Sequence, residues 1–87
     1  MSDKELLYII SIAKEGSVSK AAKKLYIAQP SLSQALKRIE KELNTKLFIR
    51  GSKGLKLSTS GEYYYKYAKQ ILKLYEEIKL KIADIKK

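Results

Sequence analysis

Apolar residues at Leu6, Ile9, Ile10 and Ala13 follow the spacing of one face of an α-helix. Ser2 and Glu5 stand where a capping box would start that helix, the serine accepting an early backbone N–H and the glutamate reaching back. Gly16 stops it, because glycine enters the left-handed conformation past a helix end. Ser17 is placed to cap a short second helix whose inward stripe is Val18, Ala21, Ala22 and Leu25. Its paired alanines allow another helix to cross closely, as a tight helix-turn-helix requires. Tyr26, Ile27 and Ala28 make the turn, and Pro30 falls in the first turn of the next helix, where its missing N–H had no partner to lose. Along that third helix Leu32, Leu36, Ile39 and Leu43 form an apolar stripe, while Pro30, Gln34, Lys37 and Lys41 project from the opposite face with Ser33 and Arg38 beside them. Asn44 is expected to end it.

The pattern then changes. Leu47 to Arg50 and Leu55 to Leu57 are short β-rich runs around Gly51-Ser52-Lys53-Gly54, which reads as a hairpin. A two-stranded hairpin is not stable alone, so it must lie against the helices. Ser58 or Thr59 caps the last helix, Thr59 and Glu62 repeating the capping-box spacing. From about Thr59 to near the C-terminus, Tyr64, Ala68, Ile71, Tyr75, Ile78, Ile82 and Ile85 alternate steps of four and three, a heptad seam. Tyr67, Leu72 and Leu74 widen it near its start. A body this small cannot cover so long a seam, so a second helix from another copy is expected to lie on it. The predicted fold is mainly α: a winged helix-turn-helix of three helices and a short β-hairpin wing over residues 1–58, then a linker helix over 59–87 forming a dimeric coiled coil.

Composition narrows the chemistry. The 87 residues suit one small domain, which buries only part of its apolar surface and gains from dimerisation. With no cysteine and no histidine, disulfides, thiolate or imidazole metal sites and catalysis based on Cys or His are excluded. No nucleophile–base pair or metal-ligand cluster stands out, and Gly51-Ser52-Lys53-Gly54 is too short for a phosphate-cradling loop, so neither an enzyme nor a cofactor is expected. No apolar run approaches a membrane span and no signal peptide opens the chain, which makes a cytoplasmic protein the default. The net charge of +10 is concentrated in the middle: Lys20 to Lys56 holds ten Lys/Arg against two acids, Thr59 to Lys87 seven against four. Such a field attracts phosphate backbones through counterion release.

A helix with one aliphatic side and one side of amides, hydroxyls and cations, followed by a basic hairpin, suits a double-stranded DNA groove. Gln29 and Gln34 can donate and accept at adenine edges, Pro30 can lie against a thymine methyl, and Ser31 and Ser33 suit bases or phosphates. Lys37, Arg38 and Lys41 can meet phosphates, and Arg50, Ser52 and Lys53 let the hairpin reach backbone or an adjacent groove. Two other readings compete: an assembly module that uses the seam and the winged-helix scaffold for docking proteins, and a basic amphipathic helix on a membrane surface. The second is weakened by Glu62, Glu76, Glu77 and Asp84 on the last helix and by the absence of tryptophan.

Across essentially its whole length the chain resembles the N-terminal domain of LysR-type transcriptional regulators. The resemblance rests on "EGSVSKAAKKLYIAQPSLSQALKRIEKELNTKLFIR" and "LKLSTSGEYY". In that family the Ser-x-x-x-Ala-Ala-x-x-Leu run is the helix before the turn, "QPSLS" opens the recognition helix, and the Leu-Phe-x-Arg end leads into the wing. The resemblance implies a regulator that binds an interrupted promoter palindrome as a homodimer, with antiparallel linker helices setting two recognition helices on one side of the duplex. Gln29, Pro30, Ser33 and Gln34 match positions that face bases, and Ser31, Arg50 and Lys53 match regions that touch backbone or minor groove. Many members carry arginine where this chain has Gln34, which implies a different base preference here. The family normally adds a large effector-binding domain. The chain ends at Lys87, just after the linker helix, which fits either a truncated form or a stand-alone regulator, with no effector pocket of its own.

Overall fold

The computed structural model describes residues 1–86. Its elements run α1 (Asp3–Glu15), α2 (Val18–Leu25), α3 (Gln29–Leu43), β1 (Phe48–Gly51), β2 (Gly54–Leu57) and α4 (Thr59–Ile85). All four helices and the hairpin expected from the apolar pattern are present.

The stops and starts are made by the expected chemistry, with two differences. Ser2 Oγ accepts the Glu5 N–H at 3.2 Å and caps α1. The Glu5 carboxylate does not complete the box: it lies 3.1 Å from the Arg38 guanidinium of α3, where a full opposite charge outcompetes a backbone N–H. Gly16 closes α1 at φ 66°, and Ser17 Oγ accepts the Lys20 N–H to open α2. Tyr26 and Asn44 close α2 and α3 in the left-handed region, at φ 58° and 55°. The second difference lies at α4, whose cap is Ser58 rather than Thr59. Ser58 Oγ accepts the Gly61 N–H at 2.9 Å and donates to the Lys46 carbonyl at 2.6 Å. Gly61 is then the close-approach residue, since a Cβ there would run into the Leu47 carbonyl oxygen. Glu62 is therefore one residue too late to act as the box partner.

The hairpin is tighter than the sequence suggests. Phe48 pairs with Leu57, Ile49 with Lys56, Arg50 with Leu55 and Gly51 with Gly54, so both glycines belong to the ladder and only Ser52 and Lys53 form the turn. The positive φ falls on Gly54, at 113°. A Cβ on Gly54 would sit 2.7 Å from the Gly16 carbonyl, which also accepts the Leu55 N–H at 3.0 Å. The wing is thus fastened to the α1–α2 corner. At its other end the buried Glu40 carboxylate of α3 accepts the Leu47 N–H at 2.7 Å. A carboxylate there would be costly without this charge-assisted bond and Lys46 3.8 Å away.

Two apolar clusters hold the molecule together. The larger joins Ile9 and Ile12 of α1, Ala21 and Ala22 of α2, Leu32 and Ile39 of α3, and Leu47 and Phe48 at the wing. The smaller joins Leu6 and Ile10 of α1 to Ala68 of α4, with Tyr64, Tyr65 and Leu72 packed against it. The two units expected on either side of residue 58 share this second cluster. Tyr64 packs against both clusters, and burial together with the nearby charges of Glu5 and Glu42 pushes its phenol up to about 12. Its hydroxyl is buried without a hydrogen-bond partner among the described residues.

Candidate nucleic-acid interface

α3 sorts its residues by face. Leu32, Ala35 and Ile39 are buried, Leu36 and Leu43 half-buried, and Gln29, Pro30, Ser31, Gln34, Lys37, Arg38 and Lys41 exposed or partly so. Ser33 lies at the boundary between the two faces. Gln34 and Lys37 sit on the side away from the buried stripe. At the leading end Ala28 provides no side-chain cap and Pro30 occupies the first turn, so the helix presents an open, uncapped tip.

The fold brings the wing to that tip. Arg50 of β1 and Gln29 of α3 line one polar cleft of about 290 Å³ together with Ser17 and Ser19 at the start of α2. Ser52 and Lys53 are exposed at the hairpin turn. Lys37 and Lys41 flank a separate recess of about 340 Å³ that also takes in Glu40, Asn44 and Lys46 at the trailing end of α3.

Charge on this surface is mostly uncompensated. Among the described residues the ion pairs are Met1 amine with Glu5 and Glu42, Arg38 with Glu5, Lys46 with Glu40, and Lys79 with Glu76. None of these engages Lys37, Lys41, Arg50 or Lys53. Arg38 differs from its neighbours: its guanidinium joins α3 to α1, so its charge is partly answered inside the protomer.

The seam expected on α4 divides in two. Tyr64 and Ala68 face α1 within the same protomer, and Ala68 is only 1% exposed, so no second chain can use it. This corrects their assignment to an inter-chain seam: small Ala68 is what allows α4 to lie close against Leu6 and Ile10. Ile71, Tyr75, Ile78, Ile82 and Ile85 are exposed, as are Tyr67 and Leu74. At about 100° per residue, Tyr67, Ile71, Leu74 and Ile78 form a stripe roughly 90° around the helix from the Tyr64–Ala68–Leu72 face. Leu72, Tyr75 and Ile78 also border an apolar groove of about 680 Å³ whose other wall is Leu7 of α1.

One exposed group lies outside the residues that the sequence pattern singles out. Lys20, Lys23 and Lys24 project from α2 on the side away from Ala21 and Ala22, and Tyr26 beside them is 95% exposed. The spacing of the lysines is legible as a helix face, whereas the exposure of Tyr26 is not.

No helix among the described residues is long and apolar enough to cross a membrane, and none of their His, Cys, Asp and Glu side chains cluster as a metal site.

The arrangement matches known proteins closely. The sequence profile described as "Bacterial regulatory helix-turn-helix protein, lysR family" matches residues 4–62. The HTH-type transcriptional regulator BsdA of Bacillus subtilis (strain 168) is 40% identical over 87 residues, covering 99% of this chain and 30% of BsdA. A probable RuBisCO transcriptional regulator of Emiliania huxleyi is 42% identical over 82 residues, 94% of this chain and 26% of that protein. The chain thus spans between a quarter and a third of the length of these relatives. Among solved structures, the BenM DNA-binding domain in complex with benA site 1 DNA superposes with a TM-score of 0.91 at 35% identity, covering 98% of this chain and 99% of that one. The CbnR DNA-binding domain in complex with DNA gives 0.88 at 26% identity, with both chains fully covered. With the profile spanning most of its length, this chain belongs to the LysR family of bacterial regulatory helix-turn-helix proteins.

Proposed function

We propose that the chain is a sequence-selective DNA-binding unit of a transcriptional regulator that acts as a homodimer on a promoter palindrome. The observation that carries this reading is the outward amide-and-cation face of α3, held by a buried aliphatic face and set beside a basic wing. In this reading Gln29, Pro30, Ser33 and Gln34 select bases in the major groove. Ser31, Lys37, Lys41, Arg50, Ser52 and Lys53 contact backbone and fix register. Arg38 adds a weaker phosphate contact because Glu5 shares its charge. The relatives that match are transcriptional regulators, and the BenM and CbnR domains that superpose were crystallised with DNA.

Dimerisation through α4 goes with the same reading. A helix of 27 residues that buries only Gly61 and Ala68 leaves an aliphatic stripe without a cover. A second copy laid along Ile71, Leu74, Ile78 and Ile85 removes that stripe from water at about 25 cal/mol per Å² of apolar area. A cytoplasmic location and the absence of catalytic activity follow from a regulator's task.

Selection of bound duplexes from a random pool tests the proposal. The expected result is an enriched palindromic motif with two half-sites, which Gln34→Ala relaxes at one position per half-site while Lys53→Ala weakens all duplexes alike. Recovery of a pool with no enriched motif overturns it.

A further inference from the structure

The outer face of α2 carries a cluster that the DNA-reading surface above does not use. Lys20, Lys23 and Lys24 lie on one side of α2, opposite the buried Ala21 and Ala22, and none has an acidic partner among the ion pairs of the described residues. With Tyr26 they line a shallow recess of about 280 Å³, in which Glu15 is the single acid. Tyr26 is 95% exposed and holds φ 58°. A left-handed turn residue is satisfied at lower conformational cost by glycine or asparagine. An aromatic ring there contributes nothing to the core and leaves its apolar surface in water, so neither the turn nor the packing accounts for it.

From these observations we infer that Lys20, Lys23, Lys24 and Tyr26 form a second phosphate-contacting surface, one that grips the DNA strand bordering the groove occupied by α3. The inference rests on the DNA-binding reading above. Position favours it. Tyr26 precedes Gln29 by three residues, so their Cα atoms lie within about 11 Å along the chain. The major groove is about 12 Å wide, so a side chain just outside the tip of a helix seated in it stands at the groove wall, where the phosphates are. Lys23 and Lys24 occupy the last turn of α2, immediately before Tyr26, and Lys20 lies one turn earlier. Charge fits as well: three cations and a phenolic donor suit a run of phosphodiester oxygens. Such contacts carry no sequence information, so the surface adds affinity and register while α3 sets preference.

The test measures binding of the chain to a duplex recovered from the random pool and to one of unrelated sequence, over a range of salt. The Lys20→Gln/Lys23→Gln/Lys24→Gln variant is expected to make the slope of log affinity against log salt shallower by about 2 to 3, at close to 0.9 for each phosphate no longer neutralised. Both duplexes should lose affinity in the same proportion. Tyr26→Asn keeps a residue that tolerates the turn and removes the ring, and it should weaken both duplexes alike. A control triple on the last helix and its end, Lys73→Gln/Lys81→Gln/Lys86→Gln, removes the same net charge elsewhere. If the two triples change the slope equally, the effect is the protein's overall field and the inference fails. It also fails if wild type binds selectively while the α2 variants bind both duplexes as wild type does, the outcome expected if this face meets an acidic protein instead. Failure of wild type to retain any duplex selectively would count against the DNA-binding reading itself.

Discussion

The two halves of α4 carry the same apolar rhythm and have opposite surroundings. In the first half Ala68 is 1% exposed, pressed on Leu6 and Ile10 of α1. In the second half Ile85 is 80% exposed and Ile78 59%, although both continue the steps of four and three. Periodicity therefore reports that a helix has an apolar face, and says nothing of what covers it. Residue size carries the missing information. The covered half holds Gly61 and Ala68, small enough for a backbone to come close, while the uncovered half presents isoleucines and a leucine, which suit packing of side chains between two helices.

Substitutions at matching seam positions would separate the halves. Ala68→Asp places an unpaired carboxylate in the smaller cluster, and the protomer is expected to lose about 3 kcal/mol or more, seen as a collapse of its thermal transition. Ile82→Asp has no protomer core to disturb, and its circular dichroism at high dilution should match wild type. If both variants unfold alike, α4 is not divided in this way. Ile78→Lys sharpens the point. It should leave the fold intact and turn a sedimenting dimer into a monomer, with affinity for a two-half-site duplex reduced by about 10² or more, because the second half-site is no longer held at high effective concentration. An unchanged sedimentation coefficient would remove the exposed stripe from the interface.

Most of the architecture was legible because local chemistry and long-range packing agree. Ser2, Gly16, Ser17 and Pro30 mark helix ends by their own conformational preferences, and the Leu32–Ile39 stripe needed only a periodicity. The outward face of α3 follows from the same periodicity by exclusion. Where legibility failed, the structure depends on contacts between residues distant in sequence. The partner of Glu5 is Arg38, thirty-three positions away. The choice of Ser58 over Thr59 as cap depends on the Lys46 and Leu47 carbonyls, both reached only once the hairpin has folded back. The glycines of the wing pair with each other because Gly54 must pass close to Gly16. Burial of Glu40, an acid on an otherwise basic helix, has no local signature at all.

Tyr64 gives the smallest and most specific contrast, at the covered end of α4. Its phenol ionises near pH 12 in the folded chain, against 10.0 for the unperturbed group, chiefly because burial disfavours the phenolate and then because Glu5 and Glu42 repel it. Between those values the folded state holds the proton more often than the unfolded state does, so unfolding releases protons and stability falls as pH rises from about 10 towards 12. Below pH 10 both states are protonated and the group contributes no pH dependence. Tyr64→Phe should flatten that part of the stability–pH curve in chemical denaturation, while the same substitution at the exposed Tyr75 should not. At neutral pH the phenylalanine variant should be as stable as wild type or more stable by about 1 kcal/mol, since a buried hydroxyl without a partner costs about that to hold away from water. A loss of stability at neutral pH would instead mean that the hydroxyl is satisfied, and that the covered end of α4 is joined to the Glu5–Arg38 pair by more than apolar contact.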